Sequence, residues 1–246
     1  MSRRRPGATH TCGLPANTLR GTTRRCRLSS RAKTRQPTTA ASPETWSILS
    51  TRDPKIAEQI VAETHRLVSD EDVTWLAGQL AVTAASLKRL GVGYYRRTES
   101  FSFPMRDGSG QVIGIRTRDP KTGAKRSVFG SRSGLFIPTG IEGDTLFVAE
   151  GATDVAALLD VGLATVGRPD CHSCKGFLVD FAQRYRPTQI VVVADSDEVG
   201  RRGAESVARR LRLVAPVHVV VPPAKDARDW IAAGATRDDL LLLKGA

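Results

Sequence analysis

The stretch Ile190-Val191-Val192-Val193-Ala194-Asp195-Ser196-Asp197-Glu198-Val199-Gly200 is an apolar run that ends in three acids. Upstream, Leu146-Phe147-Val148-Ala149-Glu150-Gly151-Ala152-Thr153-Asp154 has the same layout. Short apolar runs of this kind, bounded by Gly and acids, read as strands buried on both faces. Outward from these two, strand runs fall at 145–149, 163–166, 189–194 and 217–221. Helical stretches lie between them, carrying Val155, Leu158 and Leu159, then Phe177, Phe181 and Tyr185, then Val207 and Leu211. Strand and helix in alternation imply an α/β fold with a parallel sheet and right-handed crossovers. Thr236-Arg-Asp-Asp239 has the spacing of a capping box and opens a last short helix.

In an open parallel sheet the carboxyl ends of the strands line the ligand crevice. Glu150, Asp195, Asp197 and Asp226 all follow apolar strands, so the fold brings them to one edge. Carboxylates grouped without balancing bases repel one another unless a cation sits between them. Hard oxygen ligands suit Mg²⁺ or Mn²⁺, and a divalent ion at a strand end points to phosphoryl chemistry. Helix capping is the competing reading, because Asp caps well. Capping accounts for one acid per loop. It does not account for Asp195-Ser-Asp197, whose alternate residues can face one ion together with Glu150-Gly151.

The segment before the parallel sheet has another texture. From Asp70 to Gly91 apolar residues recur at helical spacing (Val73, Leu76, Leu80, Leu87, Leu90). Leu76 to Leu87 also fits a helix-turn-helix with its turn near Val82-Thr83; the other reading is an ordinary helical hairpin packed on the segment after it. Phe101–Met105, Gln111–Ile115 and Arg126–Phe129 are strand runs, separated by turns at Asp107-Gly-Ser-Gly110 and Asp119-Pro-Lys-Thr-Gly123. This small antiparallel unit carries Arg106, Arg116, Arg118, Lys121, Lys125, Arg126 and Arg132. Such a cationic face holds a nucleic-acid backbone or a triphosphate, or it is solvated edge charge that guards the sheet from aggregation.

The formal net charge of +12 is unevenly spread. Of 37 bases, ten lie in residues 1–43, which hold no acid, leaving 27 against 25 acids and a balance of +2 elsewhere. That Arg-, Ser-, Thr- and Pro-rich tail is expected to be disordered. It reads as a phosphate-binding arm, an organelle transit peptide, or an extension without function. No secretory h-region and no long apolar run is present, so a cytoplasmic location without a membrane is expected. Cys171-His-Ser-Cys174 has the spacing of a zinc or redox half-site; Cys12 and Cys26 lie in the tail, and incidental cysteines are the competing reading.

At its acidic elements the chain resembles the toprim domain, the metal-binding fold shared by bacterial-type primases, topoisomerases and some nucleases. The matching elements are Glu150-Gly151 with Asp154, Gly162-Leu-Ala-Thr-Val-Gly167, Asp195-Ser-Asp197 with Gly200, and Lys225-Asp226-Ala, over roughly 144–235. The last element is most similar to phage and plasmid primase–helicases. So is Phe103-Pro-Met-Arg-Asp-x-x-Gly-x-Val-Ile-Gly-Ile-Arg116, with Lys125 and Gly134-Leu-Phe136, extending the resemblance to about 100–235. It implies a primase-type subdomain before a toprim fold, with template and nucleotide in the groove between them. The expected organisation is a disordered tail over 1–45, a helical segment and small basic β subdomain over 46–142, and a toprim domain over 143–246. The resemblance implies a primase making short primers on single-stranded DNA from nucleoside triphosphates. Asp195, Asp197 and Asp226 would be metal ligands, with Glu150 either a ligand or a proton-transfer group. Arg106, Arg116, Arg118, Lys125, Arg126 and Lys225 would hold template or triphosphate. The zinc module usual in such primases is not reproduced, and no helicase part is visible, so a helicase on a separate chain is the expected partner. A toprim nuclease and a non-catalytic nucleic-acid-binding remnant are the alternatives. Tyr94, Tyr95 and Tyr185 lack the context of a topoisomerase nucleophile.

Overall fold

A computed structural model of the chain describes residues 50–243. The expected tail over 1–45, with Cys12 and Cys26, lies outside the described residues. Pro54 fits the first turn of α1 (Pro54–Leu67), and Asp53 caps it by accepting from Lys55 N at 2.9 Å. The sequence reading missed this helix. Its buried stripe is Ala57, Ile60 and Thr64, too small and too polar to stand out as a periodic signal.

The helical pattern over 70–91 breaks into α2 (Asp70–Leu80) and α3 (Ala84–Arg89). Ser69 and Asp72 form a capping box at the start of α2. Ala81 then turns left-handed (φ 53°) and Thr83 caps α3, so cap chemistry overrides the continuous periodicity. A DNA-reading helix presents its N-terminus to the groove. Here that end is tied into the fold: Thr83 N and Oγ1 donate to Asp160 at 2.8 and 2.5 Å, and Ser86 Oγ also donates to Asp160. The pair is therefore the packed hairpin.

β1 (Gly93–Tyr95), β2 (Ser100–Arg106), β3 (Val112–Arg118) and β4 (Lys125–Ser127) form an antiparallel sheet in chain order. The Asp107 and Asp119 carboxylates close its two hairpins by accepting backbone N–H groups. One face meets α1 through Ile60, Ile115 and Val128. The other, with Phe101, Phe103 and Met105, joins the main core.

β5 (Thr145–Glu150), β6 (Thr165–Arg168), β7 (Gln189–Val193) and β8 (Val217–Val220) form a wholly parallel sheet ordered β6-β5-β7-β8. Its strands are apolar on both faces because both are covered. Phe147, Ala149, Val191 and Val193 pack with α4 (Ala152–Asp160), α2, α3 and Phe101–Met105. Leu146, Val148, Ile190 and Val192 pack with α5 (Lys175–Tyr185) and α6 (Glu198–Leu211). The first of these clusters runs from Val73 to Leu240, so the segments expected as 46–142 and 143–246 share one core. Backbone pairings of Leu135 with Arg106 and of Phe136 with Gly167 link the two sheets.

The stretch after β8, read from sequence as a loop, contains α7 (Ala227–Ala232), capped by Asp226. The expected capping box at Thr236 and Asp239 does open α8 (Arg237–Leu243). Among the described residues no helix is long and apolar enough to cross a membrane.

Candidate active site

Strand order places Glu150, at the end of β5, beside the loop after β7 with Asp195 and Asp197, and places that loop in turn beside the one after β8 with Asp226. Two glycines let the chain turn there. Gly151 has φ +90°, a conformation that side-chain-bearing residues rarely adopt, and it sends the backbone from β5 directly into α4. Gly200 lets α6 approach Asp195 closely: a Cβ on it would lie 2.8 Å from the Asp195 Cβ.

The capping reading holds for two of the acids. Asp197 caps α6, its Oδ1 accepting from Gly200 N at 2.6 Å. Asp226 caps α7, its Oδ1 accepting from Asp229 N at 2.8 Å. In each the second carboxylate oxygen accepts no hydrogen bond among the described residues, although Asp226 Oδ2 lies 3.9 Å from Arg228 Nη2. Asp195 caps nothing. Burial raises its pKa from the ordinary carboxylate value, as do the charges of Asp226 and Asp197, against the lowering effect of Lys125 and Lys225. Glu150 is raised by burial and then by Asp195, with Arg168 opposing.

Asp154 belongs to the acidic motif in the sequence but was given no role there. The structure buries it in the first turn of α4, 7% exposed, with its Oδ1 accepting from Arg228 N at 3.3 Å. Burial first, and the neighbouring charges of Asp226 and Asp195 after it, push this carboxyl up to about 7. Its place three residues beyond Gly151 was visible; its burial opposite Asp226 was not. Arg168 and Arg228 were missed altogether. Arg168 ends β6 as the register partner of Glu150. Arg228 stands beside Asp229 and Asp226, with Nη2–oxygen distances of 2.8 and 3.9 Å.

Facing these acids is the antiparallel sheet. Register pairs Arg116 with Ser127 and Arg118 with Lys125, so those side chains share a face with Phe103. Arg116, Arg118, Lys125, Gly151 and Thr153 line one cleft between the two sheets. Burial lowers the Arg118 pKa, and the like charge of Arg228 lowers it further. Lys225 follows β8 and its carbonyl accepts from Ser196 N at 2.9 Å. Two of the expected contact residues are placed elsewhere. Arg106 Nη1 donates to Gly110 O in its own hairpin at 2.9 Å. Arg126 alternates with Lys125 and so lies on the α1 face, away from the acids.

Among the described residues no three His, Cys, Asp or Glu side chains stand close enough to enclose an ion as they are. The donor set nonetheless suits one. Every candidate ligand is a carboxylate oxygen, and burial first, then repulsion within the group, raises the pKa of Glu150, Asp154 and Asp195. A hard divalent cation relieves that repulsion. Cys171 and Cys174 are free thiols, both raised by burial, and among the described residues they gather no other ligand. Tyr185 is occupied elsewhere, donating to Gly143 O at 2.7 Å.

The architecture is that of primase catalytic cores. The chain is similar to the E. coli primase catalytic core (14% identity, TM-score 0.59, 78% of this chain and 79% of that one). A DnaG primase catalytic domain bound to single-stranded DNA gives 14% identity, a TM-score of 0.60 and coverage of 78% and 80%. The primase fragment of the bacteriophage T7 primase-helicase gives 20% identity, a TM-score of 0.52 and coverage of 69% and 73%. At these identities the likeness establishes the fold. No protein-family model matches the chain, and no curated protein matches it.

Proposed function

We propose that this chain is a primase-type nucleotidyltransferase that joins nucleoside triphosphates on a single-stranded DNA template. The observation that carries the reading is a cationic cleft that opens next to a group of acids. Acids crowd the carboxyl edge of the parallel sheet; Arg116, Arg118 and Lys125 line the cleft against Gly151 and Thr153 at that edge, and the Lys125 charge reaches Asp195. The primase-core fold and the neighbour bound to single-stranded DNA support it.

On this reading residues 143–246 hold the metal and 46–142 hold nucleic acid. Asp195, Asp197 and Asp226 would hold Mg²⁺ or Mn²⁺, with Glu150 beside them. The ion supplies neutralisation of the charge on the transferring phosphoryl group. Arg116, Arg118, Lys125 and Lys225 bind and orient phosphate oxygens by charge-assisted hydrogen bonds. Buried Asp154 accepts from Arg228 N and so ties α4 to the segment that carries Asp226. A helicase is the partner proposed for this activity.

Incubation with single-stranded DNA, labelled ribonucleotides and Mg²⁺ or Mn²⁺ is the test, with products sized on a gel. A ladder of short oligonucleotides is the expected result. Shortened template without a ladder moves the assignment to a toprim nuclease. Binding without turnover leaves the nucleic-acid-binding alternative.

The face assignment makes a separate prediction. Arg116→Ala and Lys125→Ala each weaken single-stranded DNA binding and lower the slope of log affinity against log salt by about 0.7. Arg126→Ala, on the opposite face, leaves the slope unchanged. Fluorescence anisotropy across a salt series measures this, and equal losses from all three variants would overturn the placement.

A further inference from the structure

Arg168 is 2% exposed, among the most deeply buried large side chains of the protein. It lies at the end of β6 directly beside Glu150 on β5. Its Nη1 donates to Cys171 O at 2.5 Å. Its Nη2 is 4.0 Å from Glu150 Oε2. Its Nε is buried and has no hydrogen-bond partner among the described residues. A guanidinium presents its donors as a rigid fork, and the Nε–Nη2 edge matches the two oxygens of a carboxylate. Leaving such a buried donor unpaired is costly, and Glu150 is the carboxylate at hand. Asp170, the other nearby acid, is engaged with His172 N, Ser173 N and Ser173 Oγ.

We propose that Arg168 is a positioning residue that clamps Glu150 through its Nε–Nη2 edge and so withdraws Glu150 from the metal ligand set. The ion is then held by Asp195, Asp197 and Asp226, while Glu150 stays fixed as the wall of the cleft. This rests on the metal-dependent reading above. Guanidinium and cation compete for the same carboxylate. A carboxylate locked onto a buried guanidinium has much of its charge already balanced, and it attracts a divalent ion less than Asp195, whose close neighbours Asp197 and Asp226 are also acids.

Two measurements on the full chain test it. The first is a double-mutant cycle in thermal unfolding, in chelator, with Glu150→Gln, Arg168→Met and both together. Coupled loss is expected: Glu150→Gln strands the buried cation and lowers the midpoint by several degrees, and the double variant falls short of the summed losses. Strictly additive losses overturn the clamp. Should Arg168→Met fail to fold, Arg168→Lys replaces it, keeping the charge but not the forked edge. The second is Mn²⁺ binding followed by electron paramagnetic resonance of the free ion. Glu150→Gln is expected to bind Mn²⁺ within about twofold of the parent, and Asp195→Asn about tenfold more weakly. Arg168→Met frees Glu150 and tightens binding, a gain that vanishes in the double variant. Equal weakening by Glu150→Gln and Asp195→Asn overturns the withdrawal. Failure of the parent chain to bind Mn²⁺ removes the metal reading and the withdrawal with it, while the unfolding cycle still decides the clamp.

Discussion

Replacing Asp195 by Asn should abolish nucleotide incorporation, a loss of at least about a thousandfold, with the fold intact. Asp195 sits just past the end of β7, a strand covered on both faces, and against Gly200 of α6. Among the described residues nothing donates a hydrogen bond to its carboxylate, so its charge is not spent on structure. Burial and the charges of Asp226 and Asp197 make that charge costly in the metal-free protein. Asn keeps the size, removes the charge and relieves the repulsion. The metal-free variant should therefore melt no lower than the parent while losing the ion. Incorporation of labelled nucleotide and a thermal melt, run on the same preparation, measure both halves. Parent-like incorporation by Asp195→Asn would sink the assignment of this edge as the metal site.

The second large effect concerns stability and pH. Asp154 carries an ordinary carboxyl in the unfolded chain, near 3.8, and is pushed up to about 7 in the fold. Between those values the folded protein holds the proton more tightly than the unfolded chain does. Its contribution is therefore fully present below about 4 and is lost as pH rises through about 7. The ionised, buried group then costs up to about 4 kcal/mol. Asp154→Asn removes this slope, and the Asn side-chain oxygen can still accept from Arg228 N. In chelator the variant should be the more stable protein at pH 8 and the less pH-dependent one between pH 5 and pH 8. Midpoints of thermal unfolding at the two pH values decide it. Parallel pH profiles for the two proteins would show that Asp154 does not titrate in this range.

These effects differ in how far they could be read beforehand. Asp195 was legible because it ends an unbroken Val-rich run and is followed two residues later by Asp197. Asp154 was legible as a motif position and nothing more. Its raised value depends first on burial within the fold and then on Asp226, far along the chain, coming close to it. Arg168 gave no signal, because a single Arg after a short strand looks like a solvated strand end. The weakest part of the reading was α1, whose inner face is Ala, Ile and Thr.

The sequence alone determined the elements and their kind. Continuous apolar runs need cover on both faces, which makes the sheet parallel and sends the acids to its carboxyl edge. Caps at Ser69, Thr83 and Thr236 and turns at Asp107 and Asp119 are local chemistry, so they too were readable or nearly so. Tertiary structure decided which charges meet. The order β6-β5-β7-β8 is not chain order, so Glu150 acquires Arg168 on one side and the Asp195 loop on the other. Cross-strand register likewise turned Arg116, Arg118 and Lys125 toward the cleft and Arg126 away from it. Periodicity is a property of neighbours along the chain. The electrostatics of a site depends on neighbours in space, and only strand order and register supply those.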